Sequence, residues 1–321
     1  MFLAAKHFGE ATVASLGEVE IANFVRTLRR LPNNHHKTPV HAPLTLVQIA
    51  ERGAGPTLGG ATINRHVRFI KLALDCAWKR QPTSSVIEWG ASITVDRRRK
   101  RDKRPAFTAD ELRVLFQGAV WHGFESRVRR LKPGRHIEWD GSYWVPILLA
   151  YTGARREEIA KLQTADVALI DGIWCLQLRE TTAGRLKNSA SERDIPLADE
   201  VLRLGFLAFV NRQRDAGEEQ LFPDLRLAAG SYGGVYYKRH CRALERAGLV
   251  PAGKDIHSIR HYVSTALAAK KVSEEQRADL LGHTLTSETA GTYTKCTPLD
   301  LLQEVVNLLP IVTGEIVSLI A

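Results

Sequence analysis

The stretch HSIRHYVSTALAAKKVSEEQRADLLGHTLTSETAGTYTK, residues 257–295, decides the fold of the second half of this chain. Its first part predicts a helix on which His257 and Arg260, three positions apart, can reach one spot. Ser273 and Gln276 then stand in the relation of a capping box, which predicts a second helix that runs to the string LLGH.

This stretch and one upstream arginine form a candidate phosphate site. Its members are His257, Arg260, His283 and Tyr293, with Arg155 in the string TGARREEI about a hundred residues earlier. A phosphodiester is an anion that repels nucleophiles, so cations must face it, and arginine donates two parallel hydrogen bonds to phosphate. A free tyrosine has a pKa of about 10. The same cations would favour its phenolate and make it a covalent nucleophile.

Length and composition predict a globular protein whose first hundred residues are basic. The chain has 321 residues and 44% hydrophobic content, enough for two domains that each bury a core. Its formal charge is +10, and residues 1–100 hold 15 Lys and Arg against 7 Asp and Glu. This distribution favours a polyanion partner, although a solvated basic surface has the same composition.

The cysteines and the apolar segments indicate the compartment. Cys76, Cys175, Cys241 and Cys296 follow neither a CxxC nor a metal-ligand spacing, so no disulfide framework or zinc site is expected. The first twenty residues lack the pattern of a secretory signal, and no stretch reaches the roughly 18 apolar residues of a membrane span. We expect a cytoplasmic protein without membrane association.

Residues 1–96 are predicted to form a helical domain that binds DNA. In ATINRHVRFIKLALDCAWKRQ, residues 61–81, Thr62 is the expected N-cap, and an apolar stripe from Ile63 to Trp78 faces the core. Basic residues occupy other faces, where solvated cations are at least as expected as DNA contacts. The candidate DNA-binding residues of this helix are Arg65, Arg68 and Lys71.

A basic interdomain linker is predicted at residues 97–106, because seven Lys or Arg fall between positions 97 and 104. A strap across a phosphate backbone is favoured over a nuclear-import signal. The candidate DNA-binding residues here are Arg97, Arg98, Arg99 and Lys100. The second domain, residues 107–321, begins with a capping box of Thr108 and Glu111.

The second domain is predicted to be mainly helical with a small antiparallel sheet. YWVPILLAYTG, residues 143–153, is a buried helix or a strand-like run, and the next helix lies in TGARREEIAKL. The strands IWCLQL and RDIPL, joined by the polar string ETTAGRLKNSASE, predict a hairpin. Helices resume with GGVYYKRHCRALERAG, and Pro298 starts a last one. The fold class is therefore mainly α, with an all-helical front domain and an α+β second domain.

Each site residue has an ordinary alternative when it is taken alone: Arg155 and Glu158 can pair on a helix surface, and Tyr293 can be a half-buried tyrosine. Together, the ordered strings TGARREEI, Lys187 ahead of NSASERDIPL, HSIRH, LLGH and the tyrosine resemble the catalytic domain of the tyrosine recombinases, the phage integrase family. The resemblance covers roughly residues 105–300. The helical front part is similar, more loosely, to the core-binding domain of that family.

The resemblance implies a site-specific DNA recombinase or integrase of a mobile element, which cleaves and rejoins DNA through a 3′-phosphotyrosyl bond. It implies double-stranded DNA as partner, a homo-oligomer (dimer to tetramer) on that DNA, and no metal, ATP or other cofactor. Two alternatives stay open: DNA relaxation of the type IB topoisomerase kind, and a catalytically silent DNA-binding regulator of the same fold. The string HxxR and the basic front part favour the recombinase.

The catalytic set that the resemblance implies is Arg155, Lys187, His257, Arg260, His283 and Tyr293, with Glu158 in support. The two arginines would clamp the scissile phosphate, and the tyrosine would attack it. The lysine would be the general acid that protonates the departing 5′ oxygen. His257 would assist proton transfer or brace the phosphate, His283 would donate to a non-bridging oxygen, and Glu158 would orient Arg155 or His257.

Two features depart from the family pattern, and a third has two interpretations. Tyr293 follows His283 by ten residues, where the family commonly has nine, which puts the reach of the nucleophile in question. We expect no arm-binding domain ahead of the predicted core-binding helices in this sequence, either because the protein never had one or because the sequence is part of a longer chain. The apolar tail after Pro298 is expected either to fold onto its own domain or to dock on a neighbouring protomer.

Overall fold

The structure is a computed structural model. It describes residues 2–12, 15–36, 39–53, 55–78, 105–179, 192–225, 232–246, 248–251, 253–283 and 296–318. The chain divides into two compact units, residues 1–99 and residues 100–321. Nearly all of the predicted linker lies outside the described residues, so the predicted domain borders at 96 and 107 stay predictions.

The first unit is helical in all its described regular elements. They are α1 (Phe2–Phe8), α2 (Glu18–Arg30), α3 (Leu46–Arg52), α4 (Gly60–Trp78) and a short 3-10 helix, Pro39–His41. Its core joins Phe24 and Leu28 of α2 to Ile49 of α3 and to the inner face of α4. The α3 helix begins at a capping box in which the Thr45 hydroxyl accepts a hydrogen bond from the Gln48 N–H.

The α4 helix confirms the apolar stripe but not its start. Ile63, Val67, Ile70 and Leu74 are buried, as the helical spacing predicts. The prediction of Thr62 as N-cap is wrong. The Gly59 carbonyl already accepts hydrogen bonds from the N–H groups of Thr62 and Ile63, at 2.9 and 3.1 Å, so the first turn closes earlier.

The second unit contains helices and a small sheet. Its helices are α5 (Ala109–Phe116), α6 (Ala119–His122), α7 (Gly141–Thr152), α8 (Arg156–Ala160), α9 (Asp199–Arg203), α10 (Phe206–Asp215), α11 (Tyr232–Tyr236), α12 (Arg242–Arg246), α13 (Ser258–Ala269), α14 (Glu274–Leu281) and α15 (Leu299–Asn307). A π-helical turn, Tyr237–Cys241, joins α11 to α12. The predicted capping boxes at Thr108 and at Ser273 are both present.

The central element of this unit is α7, in which every residue is buried. A helix that is apolar on all sides must lie inside a core, which settles the choice between helix and strand for this run. Asp140 caps its start by accepting from the Ser142 N–H at 2.9 Å, and Gly153 ends it in the left-handed region at φ 61°. Because α7 packs against α8 and α13, its carboxyl end meets two further site elements.

The sheet described in this unit is antiparallel and three-stranded, in the order β1 (Val167–Ile170), β2 (Ile173–Leu178) and β3 (Arg193–Pro196). The strands β2 and β3 confirm the predicted pair, whose connecting residues 180–191 lie outside the described ranges. The strand β1 was not predicted. Its turn to β2 consists of Asp171 and Gly172, both with positive φ, which is the Asp-Gly signal of a two-residue hairpin.

The described part of the carboxyl-terminal tail packs on its own unit. Leu302 and Val306 of α15 are buried, as is Thr313 beyond it. The Thr313 hydroxyl lies 2.8 Å from the Tyr151 hydroxyl and donates to the Glu200 carboxylate at 2.7 Å. The tail was expected either to fold onto its own domain or to dock on a neighbouring protomer, and the single chain shows the first of these. Among the described helices, none combines the length and the apolar character that crossing a bilayer requires.

Candidate active site

Arg155 and Glu158 form the first half of the site, between α7 and α8. Arg155 is the N-cap residue of α8, and its N–H donates to Glu158 Oε2 at 2.8 Å. Its guanidinium Nη1 donates to Glu158 Oε1 at 2.6 Å, and the Glu158 side chain is only 5% exposed. The carboxylate therefore holds both the backbone and the side chain of Arg155, which is the contact that a supporting role requires.

Arg260 lies in the first turn of α13 and is 6% exposed. Its Nη1 donates to the Gly153 carbonyl at 2.8 Å, at the end of α7. Its Nη2 is buried and has no hydrogen-bond partner among the described residues. A buried charged donor without a partner is costly, and an anion would satisfy it.

The structure adds Arg193, the first residue of β3, which the sequence placed only in a strand. Its side chain is 7% exposed, and its Nη2 donates to Glu158 Oε2 at 3.0 Å. Its Nε donates to the Leu280 carbonyl, at the end of α14, at 2.8 Å. Strand alternation could have found it, since residues 193 and 195 share one face of β3 and Ile195 is fully buried.

His283 follows the Gly282 cap of α14, which is left-handed at φ 66°. The Gly282 carbonyl accepts from Arg155 Nη2 at 3.2 Å, so this turn is tied to the arginine cluster. Burial, followed by the charges of Arg260, Arg155 and Arg193, lowers the pKa of His283 to about 4. The ring is therefore neutral at pH 7 and can donate one N–H to an oxygen.

The cluster carries an excess of positive charge. Within the described residues it joins three arginines, Arg155, Arg193 and Arg260, to one carboxylate, Glu158. Burial, then Arg155 and Arg193, lower the pKa of Arg260 to about 9. Burial would raise the pKa of Glu158, but Arg193 and Arg155 outweigh it and hold that pKa below its usual value. Such a cluster is suited to binding an anion.

The remaining predicted site residues divide into described and undescribed ones. His257 lies at the start of α13, one turn before Arg260, with its ring 5.7 Å from the His261 ring. Lys187 and Tyr293 lie outside the described residues. An open groove of about 630 Å³, lined by Arg193, His283 and Thr297 among others, lies beside the cluster.

Thr297, just after the segment of residues 284–295 that holds Tyr293, is anchored to α14. The Asp279 carboxylate of α14 accepts from the Thr297 N–H at 2.9 Å and from the Thr297 hydroxyl at 2.6 Å. On the other side of the segment, His283 follows the Gly282 turn. Both flanks of residues 284–295 are thus fixed to α14.

The candidate DNA-binding residues of the first unit that can be located are on α4. Arg65, Arg68 and Lys71 are all exposed, and Lys71 pairs with Asp75 at 3.1 Å. The four linker candidates at positions 97–100 lie outside the described residues. The four cysteines are free thiols in the structure, with Cys175 and Cys241 buried and Cys76 and Cys296 exposed.

Comparison with known proteins shows which family model the sequence matches and which solved structures share its fold. Residues 142–298 match the sequence model of the phage integrase family. No curated protein sequence matches the chain significantly.

Solved structures share the fold. An integrase of the transposon Tn1549, bound to transposon right end DNA, matches with a TM-score of 0.55 and 18% identity over 92% of this chain and 86% of that one. The XerH site-specific recombinase in a pre-cleavage complex with difH matches at 0.51 and 18%, over 88% and 70%. A lambda integrase tetramer on a Holliday junction matches at 0.52 and 18%, over 89% and 70%.

The class is thus a mainly helical, two-unit protein with a small sheet and a cluster of three arginines around Glu158. Residues 142–298, within the second unit, belong to the phage integrase family, the tyrosine recombinases.

Proposed function

We propose that this protein is a site-specific DNA recombinase that cleaves and rejoins DNA through a 3′-phosphotyrosyl intermediate. The observation that carries the proposal is Arg260, a buried arginine whose Nη2 has no partner among the described residues, beside Arg155 in a cluster of excess positive charge. A scissile phosphate supplies the missing acceptor and the missing negative charge.

The proposed chemistry is one transesterification and its reverse. The Tyr293 oxygen attacks phosphorus, the bond from phosphorus to the 5′ oxygen breaks, and the DNA 3′ phosphate becomes esterified to the tyrosine. Lys187 gives a proton to the departing 5′ oxygen, and His257 assists the loss of the tyrosine proton. Attack by a 5′ hydroxyl on the phosphotyrosine reverses the step and rejoins a strand without an external energy source.

The described side chains would stabilise the charge of this reaction. Arg155 and Arg260 face the phosphate with fixed guanidinium groups, and a donor aimed at the transition state contributes more than one aimed at the ground state. His283, neutral at pH 7, donates to a non-bridging oxygen. Glu158 is too well occupied by arginine to act as an acid or base.

Double-stranded DNA is the proposed partner, and a homo-oligomer of two to four copies on DNA is the proposed working form. Recombinases of the same fold are seen as a dimer on a core site and as a tetramer on a junction. Strand exchange needs two DNA sites and therefore at least two active sites. A cytoplasmic location fits both the DNA partner and the four free thiols.

The test is capture of the covalent intermediate. Repeats in the genomic DNA that flanks the coding sequence supply the substrate, made as a duplex with a nick close to the cleavage point. After cleavage the short strand diffuses away, religation stops, and a protein–DNA adduct should accumulate on a denaturing gel. Digestion to a single phosphotyrosyl peptide should place the DNA on residues 291–295. Cleavage with no protein attached to the 3′ end would contradict the proposal.

The predicted linker supplies an electrostatic test. Changing Arg97, Arg98 and Arg99 together to Gln should weaken DNA binding. The slope of log affinity against log salt concentration should become shallower by about 0.9 for each phosphate that the protein no longer neutralises. The affinity is measured from about 50 to 200 mM salt. The matched control changes the same residues to Lys, which keeps the charge and should keep the slope. An unaltered slope in the Gln variant would make the linker a spacer.

A further inference from the structure

Arg193 connects three elements of the candidate active site. It lies at the start of β3, it reaches Glu158 on α8, and it reaches Leu280 at the end of α14. Resting on the proposed function, we infer that Arg193 is a positioning residue: it fixes the Arg155 guanidinium and the Gly282–His283 turn for the reaction without touching the phosphate itself.

The Glu158 carboxylate is shared between two arginines. Its Oε1 accepts from the Arg155 side chain, while Oε2 accepts from the Arg155 N–H and from Arg193 Nη2. Arg193 thus adds a second bond to Oε2, beside that of the Arg155 N–H, and restrains the carboxylate further against rotation. The guanidinium of Arg155 keeps one orientation only while both oxygens are held.

The end of α14 is held by the same two arginines. The last four carbonyls of a helix lack intrahelical partners, and Arg193 Nε satisfies that of Leu280 at 2.8 Å. Two residues later, the Gly282 carbonyl accepts from Arg155 Nη2 at 3.2 Å. The two arginines therefore both donate to carbonyls at the end of α14, immediately before His283.

The Arg193 guanidinium also fits closely against Gly282. A Cβ built on Gly282 would come within 2.6 Å of Arg193 Nη1, so the guanidinium lies directly against the Gly282 backbone. Gly282 also needs its left-handed φ of 66°. A shift of Arg193 would thus be transmitted to the backbone that carries His283.

The geometry of Arg193 can be separated from its charge. Arg193 adds to the field that lowers the pKa values of Arg260 and His283. Substitution by Lys keeps this charge but has no planar fork, so it cannot donate to both Glu158 and Leu280 as the guanidinium does. Arg193→Lys is therefore the variant that isolates positioning.

The experiment measures single-turnover formation of the covalent adduct at saturating nicked DNA. Arg193→Lys should bind DNA within about threefold of the wild type and cleave at least about tenfold more slowly, since a misplacement of about 1 Å can cost up to roughly 100-fold. A variant that cleaves at the wild-type rate would overturn the inference. Absence of an adduct from the wild type would instead overturn the proposed function.

The matched control is Arg130→Lys. Arg130 is also a largely buried arginine between carboxylates, with Glu138 and with Asp140 at 2.7 Å. Its partner Asp140 caps the amino end of α7, whose 12 residues place Gly153 about 18 Å away at the other end of the helix. Arg130→Lys also loses the planar guanidinium, but it should cleave at the wild-type rate. That result would exclude a general effect of replacing a buried arginine.

A double-mutant cycle tests the route through Glu158. If Arg193 acts by holding that carboxylate, Arg193→Lys should add little to the loss already caused by Glu158→Gln. If the rate losses of the two single variants multiply in the double variant, Arg193 has an independent role and this route is overturned. Should Arg193→Lys fail to fold, Glu158→Asp carries the test, because its shorter carboxylate cannot hold both arginines. A folded Glu158→Asp variant with the wild-type rate would overturn the inference.

Discussion

Tyr293→Phe should abolish the covalent adduct and leave DNA binding intact. The substitution removes one oxygen, which is the atom proposed to attack phosphorus, and keeps the aromatic ring. No other group could then form the 3′-phosphotyrosyl bond at this position, so the expected loss is complete. Adduct is measured on a denaturing gel and binding by mobility shift, on the same nicked duplex and at the same salt.

A matched control comes from a tyrosine near the site. Tyr262 lies on α13, two residues after Arg260, and its buried hydroxyl has no hydrogen-bond partner among the described residues. Tyr262→Phe should therefore cleave at the wild-type rate. An adduct that persists in Tyr293→Phe would remove the assignment of the nucleophile, and peptide mapping of that adduct would show which residue replaces it.

The sequence predicted the elements that carry a local signal. The capping boxes at Thr108 and Ser273 and the stripe of α4 were found because the pattern and the structure are both local there. The strand β1 was missed although its Asp171-Gly172 turn carries an equally local signal. The N-cap of α4 was wrongly placed at Thr62 because the helix starts at a glycine carbonyl, and glycine has no side chain that signals a cap.

The candidate site was predicted in part for a different reason. The identities of Arg155, Glu158, Arg260 and His283 followed from the order of the motifs, and the structure brings these four together. Their partners did not follow. The bond from Arg155 to Gly282 spans 127 positions, and that from Arg193 to Leu280 spans 87. Such contacts depend on how α8, β3 and α14 pack, which spacing along the chain does not encode.

Arg260→Ala should lower the single-turnover cleavage rate by at least roughly 10²–10³-fold, the effect of removing one positioned transition-state donor. The expected loss is large because Arg260 contributes both charge and a donor, Nη2, that has no other partner among the described residues. The Gly153 carbonyl holds Nη1 at 2.8 Å, so the remaining donors are already oriented before DNA binds. Cleavage that stays within about threefold of the wild type would remove Arg260 from the clamp.

The thermal stability of the same variant is a second measurement, and it should change little where the cleavage rate changes greatly. In the free protein, burial and the neighbouring Arg155 and Arg193 disfavour the charge of Arg260 and lower its pKa to about 9. Replacing the side chain with Ala removes that repulsion, which offsets the loss of the attraction of Glu158, of the buried side-chain packing and of the donor to the Gly153 carbonyl. Arg260→Ala should therefore melt within a few degrees of the wild type while its activity collapses, and Arg260→Lys should recover part of the rate. This pattern is expected of a residue whose buried charge destabilises the folded protein but is needed to bind the anion. A melting temperature that falls in step with activity would instead mark Arg260 as a structural residue.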